Sequence, residues 1–301
     1  MEVLTGHDEL EPIDFAVAVD ELVACAGLDP EAVRRRLWRE ALGCGNVAAD
    51  AAAFGVTPHT FDAAMERFYR ESDAFIFETY LYTLRPSRVA WIRAAFRRIQ
   101  RYAHRTHTAA HDVRVLMFGD GSGSDSLFLA RHGLRVDYFD LPASRTFAFA
   151  LKRFERAGLS GSAIRIVPDE SLNAAGRYDV VLSFEVLEHL TDPKAGLRAL
   201  ARALKPGGIA LVTDAFGALS KWLPTHLASN YVYRGTTPYL ALREGLQMRW
   251  SNPADPFKPM EFEKVSAAPL GRYRWLWTNP PTLAAALRLA RRGRWSDLQL
   301  L

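Results

Sequence analysis

Apolar residues recur at intervals of three and four along the first 111 residues, a pattern typical of amphipathic helices. The segment 30–43 begins with a proline and ends on a glycine, as helices commonly do. A longer amphipathic stretch covers 87–105. The stretch 68–91 is rich in aromatic residues, which at this spacing are more typical of a packed core than of a ligand pocket, although such a segment would also suit a lid. Residues 1–111 are therefore predicted to form a helical region.

From residue 112 onward, short apolar runs alternate with helical segments. The runs cover 113–118, 134–139, 163–167, 178–184 and 207–213. Such alternation predicts βαβ units and an α/β fold of the Rossmann-like, doubly wound type, with a mostly parallel sheet and an N-terminal helical appendage. Residues 273–278 predict a late edge strand and 281–292 a final helix, whereas about 215–272 gives no clear pattern.

Composition and charge narrow the possible partners. The 301-residue chain carries a net charge of +4, and its basic runs lie far apart in the sequence, which favours solvated helix faces over a nucleic-acid surface. No apolar run approaches the length needed to span a bilayer, and the start lacks the pattern of a signal peptide. Two cysteines provide no disulfide framework. The expectation is a soluble cytoplasmic protein without a membrane or nucleic-acid partner.

A glycine-rich loop follows the first apolar run and carries Gly119, Gly121 and Gly123. Its G-x-G-x-G spacing differs from the G-x-G-x-x-G of dinucleotide-binding loops. Asp120 and Asp125 in the loop would face a pyrophosphate with like charge. A ligand without phosphate and with positive charge fits better, and S-adenosylmethionine, with its sulfonium and ammonium groups, is such a ligand.

Two acidic residues follow the next two predicted strands. Asp140 comes 21 residues after Gly119, where a carboxylate can accept both ribose hydroxyls of a bound nucleoside, and Leu141 beside it is placed in the same site. Asp169 follows the third run, where it could accept a hydrogen bond from an adenine amino group. Either acid could instead cap a helix. A ribose-binding acid alone does not distinguish S-adenosylmethionine from NAD.

Taken together, these segments resemble the class I S-adenosylmethionine-dependent methyltransferases over about residues 112–214. The resemblance is carried by the motifs VLMFGDGSGS, VDYFD, RYDVVLSFEVLEHLTDP and RALKPGGIALVTD. It implies that residues 112–301 form the methyltransferase domain, with a substrate-side insertion at about 215–272. It also implies that the helical region 1–111 lies on the substrate side as a lid. It assigns cofactor contacts to the loop glycines for the methionine moiety, Asp140 for the ribose, Asp169 for the adenine and Phe184 beside the cofactor.

One position departs from the family pattern. The family usually has an acidic residue two positions before the first loop glycine, and here that residue is Met117. Asp120 or Asp125 is the candidate replacement for the missing negative charge next to the methionine ammonium, and Asp120 is accordingly placed among the cofactor-binding residues.

The segment FEVLEHLTDP places Glu185, Glu188 and His189 at i, i+3 and i+4, on one face if a helical turn follows the fourth strand. These side chains could bind a divalent cation such as Mg²⁺ or Mn²⁺. The same E-x-x-E-H pattern resembles two metal-binding groups, the ubiquinone-pathway O-methyltransferases and the small-RNA 2′-O-methyltransferases. The RNA enzymes add a histidine after strand five, for which His226 is the candidate. Alternatively, His189 acts near the acceptor without a metal, as a catalytic base, or the segment is purely structural.

The sequence therefore predicts a methyltransferase that uses S-adenosylmethionine and acts on a small-molecule acceptor, with oxygen favoured over nitrogen. A metal-dependent RNA 2′-O-methyltransferase is the nearest alternative. More distant alternatives are a protein of this fold that binds the cofactor without transferring methyl groups, and an NAD-dependent dehydrogenase.

Overall fold

The computed structural model describes residues 15–43, 45–168, 175–250, 259–265 and 276–298. The predicted N-terminal helical appendage is present: within these residues, six α-helices precede the first strand. They are α1 (Phe15–Ala26), α2 (Pro30–Ala41), α3 (Asn46–Ala53), α4 (Ala63–Glu71), α5 (Ala74–Leu84) and α6 (Pro86–Thr106). Local chemistry explains their starts: the Asp29 side chain accepts the backbone N–H of Ala32 at the beginning of α2, and Pro30 occupies its first turn.

Seven strands in the described part of the chain form one sheet. They are β1 (Arg114–Phe118), β2 (Arg135–Phe139), β3 (Ile164–Ile166), β4 (Tyr178–Ser183), β5 (Leu204–Val212), β6 (Leu246–Trp250) and β7 (Met260–Lys264). Their order across the sheet is β3-β2-β1-β4-β5-β7-β6. The first five are parallel, whereas β7 is antiparallel to both β5 and β6. The chain reverses its direction of winding between β1 and β4, and ligands of such sheets bind at that switch point.

The remaining helices connect and cover these strands. They are α7 (Ser124–Arg131), α8 (Arg145–Arg156), α9 (Pro193–Ala203), α10 (Thr237–Arg243) and α11 (Pro280–Arg291). Alternate residues of β1 enter different cores: Val115 and Met117 pack beneath α6, and Leu116 and Phe118 join the cluster that includes residues of α9, α10 and α11. Both faces of the sheet are therefore buried, which explains why its strands appear in the sequence as nearly continuous apolar runs.

The last part of the sheet differs from the sequence prediction. Residues 273–278 do not supply an edge strand where the structure describes them, because 276–278 are helical; 273–275 lie outside the described residues. The strands that complete the sheet are β6 and β7, both from the segment that gave no clear pattern. The predicted final helix is confirmed as α11. None of the helices that the structure describes is long and apolar enough to cross a bilayer.

Candidate active site

The glycine loop lies at the carboxyl end of β1, at the switch point of the sheet. Gly119 has φ +79°, and a Cβ atom there would come within 2.5 Å of a methyl carbon of Val186, which follows β4. Gly123 has φ +75°, and its Cβ would meet the ring of Phe154 at 2.5 Å. Only glycine satisfies both the left-handed backbone and these close approaches. The loop is thereby pressed against the end of β4 on one side and against α8 on the other.

Asp140 lies at the end of β2, beside this loop. Its two carboxylate oxygens accept the backbone N–H groups of Gly121, at 2.6 Å, and Leu141, at 2.7 Å. Burial raises the pKa of Asp140, and these two hydrogen bonds oppose the shift. Each carboxylate oxygen can accept a further hydrogen bond, which leaves capacity for a pair of hydroxyl groups. The Leu141 side chain is 45% exposed at the same edge.

The two loop aspartates have structural partners within the chain. Both oxygens of Asp120 accept backbone N–H groups, from Asp125 at 3.2 Å and from Ser126 at 2.7 Å, so its carboxylate caps α7. Burial, together with the charge of Asp125, raises the pKa of Asp120 to about 7. Asp125 forms an ion pair with Arg88 of α6. The sequence interpretation treated these aspartates as charges available to a cationic ligand, whereas the structure gives each a partner of its own.

Met117 is buried in the apolar layer beneath α6, with 1% of its surface exposed. Its neighbours there include Ile92 and Ile99 of α6. A carboxylate at this position would be surrounded by hydrocarbon and would lose hydration at considerable cost. The surroundings of Met117 thus suit an apolar side chain at the position where the family usually has an acid.

Arg88 is a site residue that the sequence analysis missed. Its guanidinium is buried, lies 4.8 Å from the centre of the Phe184 ring, and pairs with Asp125 through one nitrogen. Within the described residues, Nε and Nη1 of Arg88 have no hydrogen-bond partner. Buried donors without partners are uncommon in folded proteins. These two N–H groups, beside the residue predicted to flank the cofactor, are therefore available to an anionic group of a ligand. Asp169, the other predicted cofactor contact, lies outside the described residues.

Three potential metal ligands converge just beyond β4 and β5. One ligand atom from each of Glu188, His189 and His226 lies within 4.8 Å of the others. Glu185 is not in this group: its backbone is left-handed, with φ +56°, and the helical turn begins only at Leu187. The predicted helical spacing from Glu185 to His189 therefore does not hold, and His226, the conditional fourth ligand in the sequence prediction, is in the group instead.

Several potential ligand atoms of this group have no hydrogen-bond partner in the described part of the chain. Glu188 is fully buried, and neither of its carboxylate oxygens has a well-formed hydrogen bond within the described part of the chain; the same is true of Nδ1 of His226. Nδ1 of His189 lies 3.2 Å from the backbone carbonyl oxygen of Thr225. Because a carbonyl oxygen only accepts, this contact favours the tautomer with the proton on Nδ1 and leaves the lone pair of Nε2 free.

The electrostatics of the group follow from burial. Burial, followed by the nearby Glu185 charge, raises the pKa of Glu188 well above its ordinary value. The pKa of Glu185 is raised to about 7, chiefly by burial, and that of Asp214 to about 6 for the same reason. Burial lowers the pKa of His189 to about 3, with a smaller contribution from His226. The site thus combines neutral imidazoles with carboxyl groups that would gain from a positive charge.

The N-terminal helices form the opposite wall. Thr79 of α5 contacts the glycine loop, because a Cβ on Gly121 would lie 3.0 Å from its methyl carbon. The hydroxyl oxygen of Tyr69, on α4, lies 3.0 Å from Nδ1 of His189. The Tyr82 ring centre lies 5.9 Å from the guanidinium carbon of Arg88, and burial together with the charge of Glu185 raises the pKa of Tyr82. Two aromatic residues of the stretch 68–91 therefore face the site, whereas others, such as Phe77, are buried in the helical core.

A doubly wound sheet with a glycine loop at its switch point and a carboxylate at the end of the neighbouring strand defines an α/β protein that binds a nucleoside-containing ligand. More narrowly, the chain belongs to the methyltransferase domain family, whose model matches residues 88–261. The predicted resemblance to class I S-adenosylmethionine-dependent methyltransferases is thereby confirmed.

Similar curated proteins include ubiquinone biosynthesis O-methyltransferases from several bacteria. The chain is 34% identical to that of Cereibacter sphaeroides over 182 residues, covering 55% of this chain and 67% of the relative. It is 31% identical to that of Cronobacter sakazakii over 121 residues, covering 40% and 50%, and 30% identical to that of Caulobacter sp. over 159 residues, covering 52% and 63%. The chain thus spans about half to two thirds of the length of these relatives.

Solved structures with a similar fold include the S-adenosylmethionine-dependent methyltransferase SibL in its apo form. The TM-score is 0.48 at 17% identity, covering 77% of this chain and 74% of SibL. The N-methyltransferase NodS from Bradyrhizobium japonicum, solved with S-adenosylhomocysteine, gives a TM-score of 0.42 at 18% identity, covering 67% and 96%. These similarities concern the fold alone.

Proposed function

We propose that this chain transfers the methyl group of S-adenosylmethionine to a hydroxyl oxygen of a small molecule, with nitrogen as the less favoured acceptor. The observation that carries the proposal is the convergence of Glu188, His189 and His226 next to the glycine loop. This group and the loop are adjacent because Val186, two residues before Glu188, is the residue against which Gly119 packs.

The chain's own residues fit the cofactor. The unpaired N–H groups of Arg88 suit the methionine carboxylate, and the remaining acceptor capacity of Asp140 suits the two ribose hydroxyls. Phe184, beneath the Arg88 guanidinium, would flank the cofactor from the end of β4. S-adenosylmethionine supplies a methyl group on a sulfonium, and the neutral thioether that departs from this methyl group is already a good leaving group. The protein's task is then to hold the acceptor in line with that methyl group and to exclude water.

The residues of the convergent group also fit a divalent cation. One buried carboxyl group and two neutral imidazoles form a donor set in which imidazole favours Mn²⁺ or Zn²⁺ over Mg²⁺. A divalent cation bound there would lower the pKa of a hydroxyl acceptor and so favour its deprotonation. The low pKa of His189, about 3, keeps its imidazole neutral and available as a ligand, but makes it a weak general base near neutral pH. These features support the metal-assisted route over catalysis by His189 alone.

The charge of the site supports a small acceptor. Glu185, Glu188 and Asp214 interact with one another beyond the ends of β4 and β5, and Asp140 lies at the end of β2. These carboxyl groups give the site an acidic lining, whereas nucleic-acid sites concentrate basic residues. His226 beside His189 is the feature that favours the alternative, an RNA 2′-O-methyltransferase, so RNA belongs among the tested acceptors.

The decisive experiment is to incubate the full chain with S-adenosylmethionine carrying a labelled methyl group. The acceptors are 3,4-dihydroxybenzoate and caffeate as catechols, dopamine as a molecule with both oxygen and nitrogen acceptors, and a short RNA duplex. We expect labelled methyl ethers of the catechols, loss of transfer after EDTA dialysis, and recovery with Mn²⁺.

Other results would replace the proposal with a specific alternative. Transfer to RNA alone, falling steeply with salt, would establish the RNA enzyme. Binding of S-adenosylhomocysteine without transfer to any acceptor would contradict the small-molecule O-methyltransferase proposed here. A thermal shift with NAD and none with S-adenosylhomocysteine would overturn the cofactor.

A further inference from the structure

A short loop of the N-terminal helical region is hydrogen-bonded to the chain segment that carries His226. The backbone N–H of His59 donates to the carbonyl oxygen of Pro224 at 2.7 Å, and the His59 carbonyl accepts the N–H of Ala228 at 3.0 Å. The third contact comes from the side chain, whose Nδ1 lies 2.8 Å from the carbonyl oxygen of His226. Because that carbonyl only accepts, Nδ1 of His59 must donate. His59 thus fixes the backbone of His226 and of the residues around it.

A second residue of the N-terminal region reaches the other imidazole. The Tyr69 hydroxyl lies 3.0 Å from Nδ1 of His189, and their rings are nearly perpendicular, at 87°. Tyr69 is itself held by Phe75, whose ring is stacked on it with centroids 4.8 Å apart. The same Nδ1 faces the Thr225 carbonyl, so Tyr69 and Thr225 enclose the side of His189 that points away from the free lone pair. The Thr225 carbonyl favours the proton on Nδ1, for which the Tyr69 hydroxyl is then a second acceptor, and the two contacts orient the ring.

The segment after β5 also holds the third member of the group. The backbone carbonyl of Glu188 accepts the N–H of Leu227 at 3.1 Å and the side-chain amide of Asn230 at 3.1 Å. The segment 224–230 is therefore tied on one side to Glu188 and on the other to His59. The three convergent side chains arise from two different connections of the sheet, and these contacts with the N-terminal region help to set their relative positions.

From these contacts we propose that His59 and Tyr69 are positioning residues for the site. His59 holds His226, and Tyr69 holds His189, in the orientation that cation binding requires. The inference rests on the proposed function, because it assigns a task to the imidazoles that the proposed reaction uses. It goes further by making the N-terminal helical region a necessary part of the site. Neither His59 nor Tyr69 belongs to residues 88–261, which match the methyltransferase domain model.

The physical reason is that an imidazole binds a metal ion through one nitrogen lone pair, so the orientation of the ring determines whether that lone pair points at the ion. Histidines that bind metals usually donate their second N–H to a fixed oxygen, and loss of such a partner typically lowers metal affinity about 10- to 100-fold. Tyr69 and Thr225 surround that second nitrogen of His189. His59 acts indirectly, through its hydrogen bonds to the main chain at His226 and on either side of it.

The test uses the full chain and variants at each position. Tyr69→Phe removes only the hydroxyl, and His59→Ala removes the side-chain donor. His59→Asn is the conservative variant, because asparagine tolerates the left-handed backbone of His59, φ +65°, and can donate from a similar position. His107→Ala is the matched control, since His107 is also left-handed, with φ +53°, but is exposed at the end of α6. Tyr231→Phe controls for removal of an exposed tyrosine hydroxyl.

The first readout is Mn²⁺ binding by calorimetry, with S-adenosylhomocysteine binding as a check on the cofactor site. We expect Tyr69→Phe and His59→Ala to weaken Mn²⁺ binding about 10- to 100-fold, His59→Asn to restore it to within a few-fold, and both controls to match the unmodified protein. S-adenosylhomocysteine affinity should stay within about twofold throughout. Unchanged Mn²⁺ affinity in both Tyr69→Phe and His59→Ala would overturn the inference.

The second readout separates this inference from the proposed function. Long-range ¹H–¹⁵N spectra of metal-free protein report the tautomer of each histidine. We expect His189 to carry its proton on Nδ1, and its ring nitrogen shifts to change in Tyr69→Phe but not in Tyr231→Phe. If the unmodified protein binds no Mn²⁺, the metal part of the proposed function fails while these spectra still decide the positioning role. Identical His189 shifts in both tyrosine variants would refute it.

Discussion

Arg88 and Asp125 form a buried ion pair that joins α6 to the first turn of α7, with 5% and 3% of their side chains exposed. The pair uses one nitrogen of the guanidinium and leaves Nε and Nη1 of Arg88 without partners in the described chain. A structural contact and a candidate ligand contact therefore share one side chain. Substitutions of Arg88 should separate the two.

Arg88→Ala leaves the Asp125 carboxylate buried without its partner, and we expect it to lower the free energy of unfolding by about 3–5 kcal/mol. Arg88→Lys keeps a positive charge but loses the planar fork, so it should destabilise less while weakening S-adenosylhomocysteine binding about 10-fold or more. Urea unfolding and calorimetry measure the two effects. Arg98→Lys, at another buried arginine of α6, is the control and should leave the cofactor affinity unchanged. Normal affinity in Arg88→Lys would exclude a guanidinium contact with the cofactor.

Asp140→Ala should weaken S-adenosylhomocysteine binding by about 1–3 kcal/mol, the usual cost of removing a charged hydrogen-bond partner. Part of that loss reflects the released N–H of Gly121, which now donates to Asp140. Asp137→Asn is the control on the same strand, since Asp137 binds Arg165 and Tyr178 instead of the loop. Calorimetry measures the S-adenosylhomocysteine affinity of both variants. Equal affinities for the Asp140 variant and the unmodified protein would show that the ribose is held elsewhere.

Glu188→Gln should reduce Mn²⁺ affinity about 100-fold or more, beyond the 10- to 100-fold typical of residues that only support a ligand. The reason is that it replaces a buried carboxyl group of the convergent group, which would bind the cation as a carboxylate, with a neutral amide. Glu185→Gln is the matched control, because Glu185 lies nearby with its own raised pKa but outside that group. Mn²⁺ titration gives both affinities. A larger loss in Glu185→Gln than in Glu188→Gln would restore Glu185 as the ligand that the sequence predicted.

Gly123→Ala should destabilise the protein more than Gly133→Ala. Both glycines are left-handed, with φ +75° and +81°, so each substitution carries backbone strain of about 1–3 kcal/mol. At Gly123 the new Cβ would also lie 2.5 Å from the Phe154 ring, and such overpacking costs about 1–3 kcal/mol more. At Gly133 no atom of the residues that the structure describes would lie within 4 Å of the new Cβ. Thermal and urea unfolding of the two variants measure the difference, and equal destabilisation would mean that Phe154 moves aside freely.

The pH dependence of stability should reveal the link that Arg153 of α8 makes between Glu21 of α1 and the glycine loop. Arg153 donates to Glu21 at 2.9 Å and to the carbonyl oxygen of Ser122 in the loop at 2.7 Å. Burial alone would raise the pKa of Glu21, but the charge of Arg153 and hydrogen bonds from Arg153 and Tyr80 outweigh it and lower the pKa. The stabilisation is therefore present above the unfolded pKa, about 4.3, and is lost as the pH falls through the lower folded value.

We accordingly expect Glu21→Gln to be less stable than the unmodified protein at pH 7, and this difference to shrink below about pH 4.3. Urea unfolding at pH 7, 4 and 3 measures it. Glu31→Gln removes the exposed pair between Glu31 and Arg34 and should have little effect at any of these pH values. A Glu21→Gln difference that is constant with pH would show that the contribution of Glu21 is not electrostatic.

The sequence predicted the parts of the fold that depend on local patterns. Strands β1 to β5 and the helices before them follow from apolar periodicity, because burial on both faces of a parallel sheet leaves a continuous trace in the sequence. The strands β6 and β7 escaped prediction because both are short and contain several polar residues, so their place is set by pairing with β5 and with each other.

The site was predictable to the extent that its residues follow strands. The glycine loop, Asp140 and His189 lie where the order of elements places them. Arg88 was missed because its partner Asp125 is distant in sequence and no local spacing connects them. Glu185 was placed with the metal ligands on the assumption of a regular helix, whereas its backbone is left-handed and the helical turn begins only at Leu187.

The antiparallel strand β7 lies between β5 and β6, although it is the last of the seven to be synthesised. On the ribosome, β5 therefore cannot acquire its native neighbour on that side until residue 264 has left the exit tunnel. An open strand edge can pair with other chains. The nascent chain thus has a period of exposure that ends only with β7, and slow synthesis between residues 213 and 264 would lengthen it. Aggregation during expression should accordingly be most sensitive to codon usage in this segment.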